Sequence, residues 1–356
     1  MVYILALILS FVISYSAVPF VIKFAERYQL LTDKRVRYHP AHTHKGVLPR
    51  AGGVGIFLSV FISSLLFITI NKILLAILLS SLILLLTGLW DDRSDVSPYI
   101  RFGLNIFASV IAVMGGLGIP FISNPFGEPI VLTNYAFKFV LFKEHNFLWL
   151  SNLLSIIWIV FLINAVNWSK GVDGQMPGFV AIASIFLGLL ASRFSVYDIS
   201  VTDSMLLAFI VAGAFLGFLP FNFYPQKILP GYSAGSLAGF YLAILSLLSV
   251  AKLGTLVLVL AVPFIDAVYT ITRRLAQGRS PFMADWGHFH HRLLEIGWGR
   301  RRIAVFYWLV TFILGIPSLF LDNSLSKFAM FLSLFVVMLF FILILNRVKK
   351  IVHLKT

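Results

Sequence analysis

The sequence predicts an all-α integral membrane protein with about eleven transmembrane helices. Of its 356 residues, 60% are apolar and only 12% are charged, and the mean hydropathy is +0.96. Soluble domains of this length carry roughly twice that share of charge, so lipid surrounds most of this chain. A spanning helix needs about 20 mostly apolar residues, and such stretches occur at 2–24, 53–70, 73–90, 102–121, 149–166, 176–192, 204–220, 236–251, 254–272, 303–321 and 328–346. Residues 1–356 are predicted to form a single polytopic domain.

The basic residues predict how this domain is oriented. Lys and Arg collect in the cytoplasmic loops of membrane proteins. With the N-terminus outside and alternating spans, 22 of the 28 Lys and Arg residues fall in inside segments and 6 in outside segments. The sequence therefore predicts a multi-pass protein of the inner (plasma) membrane with a cytoplasmic C-terminus. The net charge of +14 could suggest nucleic acid as a partner, but membrane orientation explains how the basic residues are distributed. Nucleic acid is therefore not expected as a partner.

The segments between the spans carry few other signals of structure. In 122–148 the turn-forming Asn124–Pro129 precedes the β-prone Ile130–Thr133, which predicts a small external β-hairpin. Cysteine is absent, which excludes disulfides and thiolate metal sites.

Two adjacent carboxylates, Asp91 and Asp92, follow the third span. Carboxylates at the rim of an apolar helix are costly unless they meet water, a cation or a base. They could hold Mg²⁺, which takes one or two carboxylates together with substrate phosphates. A solvated helix end with Arg93 as neighbour is the alternative.

Two amides, Asn164 and Asn167, lie one helical turn apart at the end of the fifth span. They could bind a nucleotide or ligate a hard metal, although helix capping explains Asn167 as well. The turn Gly171–Gly174 lets the backbone approach a ligand and directs the carboxylate of Asp173.

Three of the eight histidines, His288, His290 and His291, fall within four residues, near Asp285 and Arg292. A transition-metal site is conceivable, but adjacent His290 and His291 point in different directions and no cysteine assists. Imidazoles beside several phosphates would instead donate hydrogen bonds or charge to oxygens.

A cation, Lys45, precedes Pro49–Gly53 at the entry to the second span. The glycine pair allows close packing or close approach of a ligand, and membrane entry is the interpretation that the segment alone favours.

Taken in order, these motifs resemble those of the polyprenyl-phosphate N-acetylhexosamine-1-phosphate transferases (glycosyltransferase family 4), eleven-span enzymes that start bacterial cell-wall and surface-polysaccharide assembly. The resemblance covers about residues 25–300. It rests on Pro-Arg-x-Gly-Gly at 49–53, Gly-x-x-Asp-Asp at 88–92, Asn-x-x-Asn with Gly-x-Asp-Gly at 164–174, and Pro-Phe-x-x-Asp…His-x-His-His-Arg-Leu at 281–293. The last stretch is more similar to the N-acetylglucosamine branch than to the muramyl-pentapeptide branch.

The resemblance implies transfer of a sugar-1-phosphate, with N-acetylglucosamine-1-phosphate favoured, from a UDP-sugar to polyprenyl (undecaprenyl) phosphate, with release of UMP at the cytoplasmic face. It implies Mg²⁺ as cofactor, with Mn²⁺ as a substitute, and UDP-N-acetylhexosamine and the lipid phosphate as partners in the membrane; a homodimer is left open. Since a phosphate monoester is largely ionised near neutral pH, catalysis would consist of aligning two anions and neutralising their repulsion.

The resemblance also implies roles for individual residues. The catalytic set would be Asp91, Asp92, Asp173, His288, His290 and His291. The substrate-binding set would be Lys45, Asn164, Asn167, Lys170 and Arg292, and the metal ligands would be Asn167 and Asp92.

Two positions depart from the family pattern. The pattern Asp-Gly-x-Asp-Gly reads Lys170-Gly171-Val172-Asp173-Gly174 here. A Gly-Asp-x-Gly-Ser stretch, whose Asp is the principal Mg²⁺ ligand, corresponds to 231–236, where Tyr232 follows the first glycine. A neutral phenol is a poor Mg²⁺ ligand. The alternative function is therefore an impaired family member that binds lipid phosphate or nucleotide-sugar without turnover.

A transporter is the other class that the eleven spans allow. Transporters carry ionisable residues in mid-span, and here Asp266 is the main such residue. No internal repeat is evident either, so the sequence favours the enzyme.

Overall fold

A computed structural model describes residues 1–32, 46–141, 143–192, 199–248, 253–281, 286–321 and 323–353. Within these residues the chain forms thirteen α-helices and three two-stranded antiparallel sheets. The helices are α1 (Val2–Arg27), α2 (Gly52–Phe67), α3 (Lys72–Ser94), α4 (Pro98–Met114), α5 (Trp149–Trp168), α6 (Gln175–Ser192), α7 (Ile199–Asn222), α8 (Gly231–Leu248), α9 (Leu253–Val259), α10 (Ala261–Ala276), α11 (Phe289–Glu295), α12 (Arg300–Phe320) and α13 (Ser324–His353).

Each of the eleven predicted apolar stretches contains a helix within the described residues, but not all of these helices have the length of a membrane span. Eight of the described helices are long and apolar enough to cross a membrane, or nine if the bent pair α9 and α10 is one span. The other two apolar helices, α2 and α4, have 16 and 17 residues. At 1.5 Å per residue they rise about 25 Å, less than the ~30 Å hydrocarbon core. The all-α membrane fold is thus confirmed, with eight or nine full-length spans rather than eleven.

The ninth predicted span, 254–272, is not one straight helix. It divides at Leu260 into α9 and α10, whose axes differ by 90°. Pro263 explains the break, because proline has no N–H for Val259 and its ring would clash with that carbonyl in a continuous helix. Proline is tolerated in the first turn of α10, where no helical partner is needed.

The helix α8 forms the centre of the bundle. Every residue from Gly231 to Leu247 is buried, and α8 packs against α2, α3, α5 and α6. At the periphery, α13 exposes Val336, Val337 and Phe340, as expected of side chains that face lipid. Polar contacts between helices include short hydroxyl bonds, such as Ser10 Oγ to Ser59 Oγ at 2.8 Å between α1 and α2.

The predicted hairpin in 122–148 is present. The strand β3 (Phe121–Ile122) pairs with β4 (Ile130–Val131), and a second hairpin joins β5 (Phe137–Leu141) to β6 (Lys143–Phe147). The remaining sheet, β1 (Leu31–Thr32) with β2 (Leu48–Pro49), lies at the opposite end of the bundle.

This opposite end is the polar end of the bundle. It is formed by the turns after α1, α3, α5, α7 and α10, which contact one another through the side chains described below. The loops that carry the sequence motifs therefore meet at one end, as predicted. That this end faces the cytoplasm stays a prediction from the distribution of basic residues.

Candidate active site

The carboxylate of Asp92 lies against the N-terminus of α8. Its Oδ1 accepts a hydrogen bond from the Tyr232 backbone N–H at 2.8 Å, and its Oδ2 accepts one from the Ser233 hydroxyl at 2.9 Å. Gly231 has φ +69°, and a Cβ at this position would overlap the Asp92 carboxylate. Only glycine tolerates both this positive φ and the close approach of the carboxylate. Asp92 thus supplies a carboxylate to N–H groups that have no partner within the helix, and it joins the end of α3 to the start of α8.

The guanidinium of Arg50 neutralises Asp92 from the other side. Arg50 Nε lies 3.3 Å from Asp92 Oδ1, and the Arg50 backbone is held by a bond from its N–H to the Leu30 carbonyl at 2.7 Å. The adjacent Gly53 packs against Ser233, whose hydroxyl accepts from the Gly53 N–H at 3.3 Å. The Pro-Arg-x-Gly-Gly segment therefore serves close packing and positions a cation beside the aspartate doublet.

The other member of the doublet, Asp91, holds the turn between α3 and α4. Its Oδ1 accepts from the Val96 backbone N–H and from Arg101 Nη1, both at 3.1 Å. Each aspartate of the doublet therefore has an arginine of its own. Both side chains are buried, so the solvated helix end considered from the sequence is wrong for this pair.

Neither residue that could replace the family aspartate at the start of α8 is anionic. Tyr232 is at this position when the motif is counted from Gly231, but counting back from Gly235-Ser236 reaches Ser233. The Tyr232 hydroxyl accepts from Asn105 Nδ2 at 2.9 Å, and Arg101 lies 4.8 Å from the centroid of its ring. Ser233 bonds to Asp92 as described above. In either register, a neutral side chain occupies the position.

The ammonium of Lys170 lies over the same helix start. Its Nζ donates to the Gly231 carbonyl and is 5.7 Å from the centroid of the Tyr232 ring. Its stem passes Gly235, where a Cβ would lie 3.2 Å from Lys170 Cδ. Burial lowers the pKa of Lys170 to about 7, and the nearby Asp92 carboxylate opposes this shift.

The two amides of α5 have different environments. Asn164 donates from Nδ2 to the Val160 carbonyl at 2.8 Å, within its own helix. Asn167 Oδ1 is buried and has no hydrogen-bond partner among the described residues. It points at Gly235, where any Cβ would clash with it. Asn167 is therefore the amide that offers an acceptor to a ligand.

The carboxylate of Asp173 borders a cavity of about 560 Å³. Arg300 Nη1 lies 3.5 Å from Asp173 Oδ1. Burial raises the pKa of Asp173, and Arg300 counteracts that effect. The following residue, Gly174, is fixed by its N–H bond to Asn222 Oδ1 at 3.0 Å. The cavity is lined by Leu48, Asp173, Tyr224, Pro225, Gln226, Gly299, Arg300 and Arg301.

The histidine cluster is anchored by Asp266, a residue outside the predicted site. Asp266 Oδ2 lies 3.0 Å from His288 Nδ1, and Asp266 Oδ1 accepts from the Phe289 N–H at 2.8 Å. The carboxylate therefore fixes both the His288 ring and the start of α11. Asp266 was evident in the sequence as an ionisable residue in an apolar span, which is a signal of function.

The three imidazoles lie close together. The rings of His288 and His290 are nearly parallel with centroids 5.7 Å apart, and His291 stacks on Trp286 at 3.9 Å. His290 is buried, and neither of its ring nitrogens has a hydrogen-bond partner within the described part of the chain. Burial, reinforced by His291 and His288, holds the pKa of His290 well below its usual value. Its ring is therefore neutral at pH 7.

The histidine cluster and the aspartate doublet belong to one site. His290 packs against Gly171, where a Cβ would overlap its ring. The neighbouring Lys170 reaches Gly231, and Gly231 contacts Asp92. One continuous set of contacts therefore runs from α11 through the turn after α5 to the end of α3.

Some predicted site residues lie elsewhere or cannot be placed. Arg292 donates from Nε to the Gly287 carbonyl at 3.1 Å and lies 5.2 Å from the centroid of the Tyr269 ring. Lys45 and Asp285 fall outside the described residues. The substrate-binding role of Lys45 and Arg292 stays a prediction.

A Mg²⁺ site does not form from the described side chains. Among them, no three His, Asp or Glu residues cluster as metal ligands. Asp91, Asp92 and Asp173 each face an arginine. Among the described residues, the buried oxygens of this end without a hydrogen-bond partner include Asn167 Oδ1 and Asp173 Oδ1. Mg²⁺ requires one or two available carboxylates in near-octahedral geometry. The assignment of Asp92 and Asn167 as metal ligands stays a prediction that this geometry does not favour.

Comparison with known proteins identifies the family. Residues 74–250 match Glycosyl transferase family 4. The chain is 28% identical to the probable undecaprenyl-phosphate N-acetylglucosaminyl 1-phosphate transferase of Bacillus subtilis, over 95% of this chain and 89% of the relative. It is 30% identical to the decaprenyl-phosphate N-acetylglucosaminephosphotransferase of Mycobacterium tuberculosis, over 83% and 78%. It is 29% identical to the phospho-N-acetylmuramoyl-pentapeptide-transferase of Orientia tsutsugamushi, over 89% and 93%.

The chain belongs to glycosyl transferase family 4, a family of membrane enzymes that transfer a sugar phosphate to polyprenyl phosphate. The family predicted from the motifs is thereby confirmed. Members of this family use Mg²⁺.

Proposed function

We propose that this protein transfers N-acetylglucosamine-1-phosphate from UDP-N-acetylglucosamine to polyprenyl (undecaprenyl) phosphate at the cytoplasmic membrane face, releasing UMP. The product would enter cell-wall or surface-polysaccharide synthesis. The observation that carries the proposal is the meeting of Asp92, Lys170 and the histidine cluster at one end of the bundle. The N-acetylglucosamine specificity is supported by the activities for which the Bacillus and Mycobacterium relatives are named.

The reaction joins two phosphates. An oxygen of the lipid phosphate attacks the phosphorus that carries the sugar, and the bond from that phosphorus to the oxygen bridging to UMP breaks. The lipid phosphate is largely ionised at neutral pH, so no base has to remove a proton. The protein must hold two anions in line and offset their repulsion.

The cavity beside Asp173 is suited to the nucleotide-sugar. Its volume of about 560 Å³ lies within the ~300–1,000 Å³ of small-molecule sites. Arg300 and Arg301 line it, with Arg301 5.1 Å from the centroid of the Tyr224 ring. Arginines bind phosphate oxygens through paired N–H donors, and the exposed ring offers a surface on which a base could stack.

The histidine cluster would bind the diphosphate. If His288 donates its Nδ1–H to Asp266, its Nε2 is directed away from that carboxylate. His290 then contributes a neutral ring where α11 packs against Gly171 in the turn after α5. Asp266 would be a positioning residue that sets the tautomer of His288, in the way that carboxylates orient catalytic histidines elsewhere.

The test is a panel of nucleotide-sugars. Purified full-length protein is incubated with polyprenyl phosphate and each UDP-sugar, UMP release is measured, and the lipid product is weighed by mass spectrometry. The proposal expects UMP and a lipid diphosphate carrying N-acetylhexosamine with UDP-N-acetylglucosamine. A product with another UDP-sugar alone would refute the sugar assignment. A lack of UMP with every donor would refute the transfer itself.

A second candidate function follows from the neutral residues at the start of α8 and from Lys170. A family member that lacks the two carboxylates of the family pattern, at position 170 and at the start of α8, could bind the lipid phosphate or the nucleotide-sugar without turnover. In that case UDP-N-acetylglucosamine would bind to the purified protein with no UMP released. The same panel, combined with calorimetric binding of UDP, distinguishes the two functions.

A further inference from the structure

The two departures from the family pattern meet at one point in space. Lys170 is 61 positions away from Gly231 in the sequence, yet its ammonium bonds to the Gly231 carbonyl. The next two residues, Tyr232 and Ser233, are the two that could stand where the family has its metal-binding aspartate. The cationic Lys170 therefore adjoins the neutral residues at the start of α8.

The carboxylates around this point already have partners. Asp92 accepts from two groups of α8 and pairs with Arg50, and Asp91 pairs with Arg101. A divalent ion placed here would have to displace these arginines and would adjoin the Lys170 ammonium. Repulsion among cations in a partly desolvated site makes that arrangement unfavourable.

Lys170 has the chemistry to replace the ion. An ammonium is a compact charge with three N–H donors, and the Gly231 carbonyl accepts one of them. Two donors remain for phosphate oxygens. The stem is held over Gly235, where there is no side chain to obstruct it. The charge is therefore fixed at the junction of the aspartate doublet and the histidine cluster.

We propose that Lys170 takes the place of the divalent metal as the cation that neutralises the substrate phosphates, so that this protein works without Mg²⁺. The proposal rests on the proposed function for the identity of the reaction. Its prediction that the site binds phosphate without a metal ion can be tested whether or not the protein catalyses that reaction.

The first test measures binding of UDP by calorimetry in EDTA. Wild-type protein is compared with Lys170→Arg, which keeps the charge, and Lys170→Gln, which removes it. We expect binding by the wild type in EDTA, a loss of about tenfold or more in affinity for Lys170→Gln, and at most about threefold for Lys170→Arg. Wild-type binding that requires Mg²⁺, or equal binding by all three proteins in EDTA, would overturn the proposal.

The second test uses Mn²⁺ as a paramagnetic probe of the protein alone. Electron paramagnetic resonance should detect no tight Mn²⁺ site in the wild type. The double substitution Lys170→Asp with Ser233→Asp restores two carboxylates and should create a site. A tight site in the wild type would contradict the proposal, whatever the activity.

Activity separates this proposal from the function on which it rests. UMP release in EDTA within about twofold of the rate in Mg²⁺ supports both. Release only with Mg²⁺ overturns the metal-free proposal and leaves the transferase standing. If no UMP is released in either condition, the proposed function fails, and the UDP and Mn²⁺ measurements still decide the role of Lys170.

Discussion

The carboxylate of Asp92 accepts a hydrogen bond from the backbone N–H of Tyr232, 140 positions further along the chain. This contact joins the end of a lipid-facing helix to the start of the central helix α8. It also explains why a carboxylate lies at the rim of an apolar span, since the helix N-terminus and Arg50 together offset the cost of burying its charge. Asp92 thus positions the site in addition to any contact it makes with substrate.

Asp92→Asn is expected to reduce lipid labelling from radiolabelled UDP-sugar at least a hundredfold. The amide leaves the partly buried Arg50 guanidinium beside a neutral group, which costs up to ~3–5 kcal/mol, and it places an N–H₂ against donors of α8. The midpoint temperature of thermal unfolding in detergent should fall as well. Asp95→Asn, an exposed position three residues later, is the matched control and should label normally. Near-normal labelling by Asp92→Asn would remove the doublet from the mechanism.

Gly231→Ala tests the close approach of Asp92 directly. Alanine at φ +69° is strained, and its Cβ would also collide with the carboxylate. We expect unfolding to become easier by about 2 kcal/mol and transfer to be largely lost. Gly278→Ala has a similar φ, +65°, with open space around a Cβ, so it reports the backbone strain alone. Equal effects of the two substitutions would show that Asp92 does not constrain this position.

Much of this fold was predictable from hydrophobic length alone, but the contacts of the site were not. The apolar runs predicted every spanning helix, because lipid requires continuous helical hydrogen bonding. The length of the apolar run does not reveal the break at Leu260, because Pro263 interrupts the helical hydrogen bonding without ending the apolar stretch. The helix-end role of Asp92 could not be read locally, since its partners belong to α8. Motif order therefore identified which residues meet and left open what each of them touches.

Asp266→Asn tests the residue that the sequence left outside the predicted site. The amide can still accept from the Phe289 N–H, but it can no longer hold His288 in the same tautomer. We expect a loss of about tenfold to a hundredfold in transfer rate, because the amide N–H₂ that would face His288 Nδ1 favours the other tautomer of the ring. Asp203→Asn, in α7, is the control for a carboxylate within a spanning helix. A transfer rate for Asp266→Asn equal to that of the wild type would mean that Asp266 serves only to start α11.

The affinity for UDP should depend on pH through Lys170. Burial lowers the pKa of Lys170 to about 7, so the ammonium is present at pH 6 and mostly lost at pH 8 in the empty protein. Wild-type affinity in EDTA should therefore fall several-fold over this range, relative to Lys170→Arg, which keeps its charge throughout. UDP itself becomes more negative as the pH rises past about 6, which would strengthen its binding to a cation. This change affects both proteins equally. Parallel pH curves for the two proteins would show that Lys170 does not contact the nucleotide phosphates.

The membrane orientation can be tested without background labelling, because the chain has no cysteine. Phe126 is 79% exposed in the turn between β3 and β4, and Asp95 is exposed at the polar end. If the excess of Lys and Arg marks the cytoplasmic side, Phe126→Cys should react with an impermeant maleimide in right-side-out vesicles. Asp95→Cys should react only in inside-out vesicles. The reverse pattern would place the aspartate doublet and the histidine cluster outside, away from any cytoplasmic pool of UDP-sugar, and the proposed reaction would have no donor.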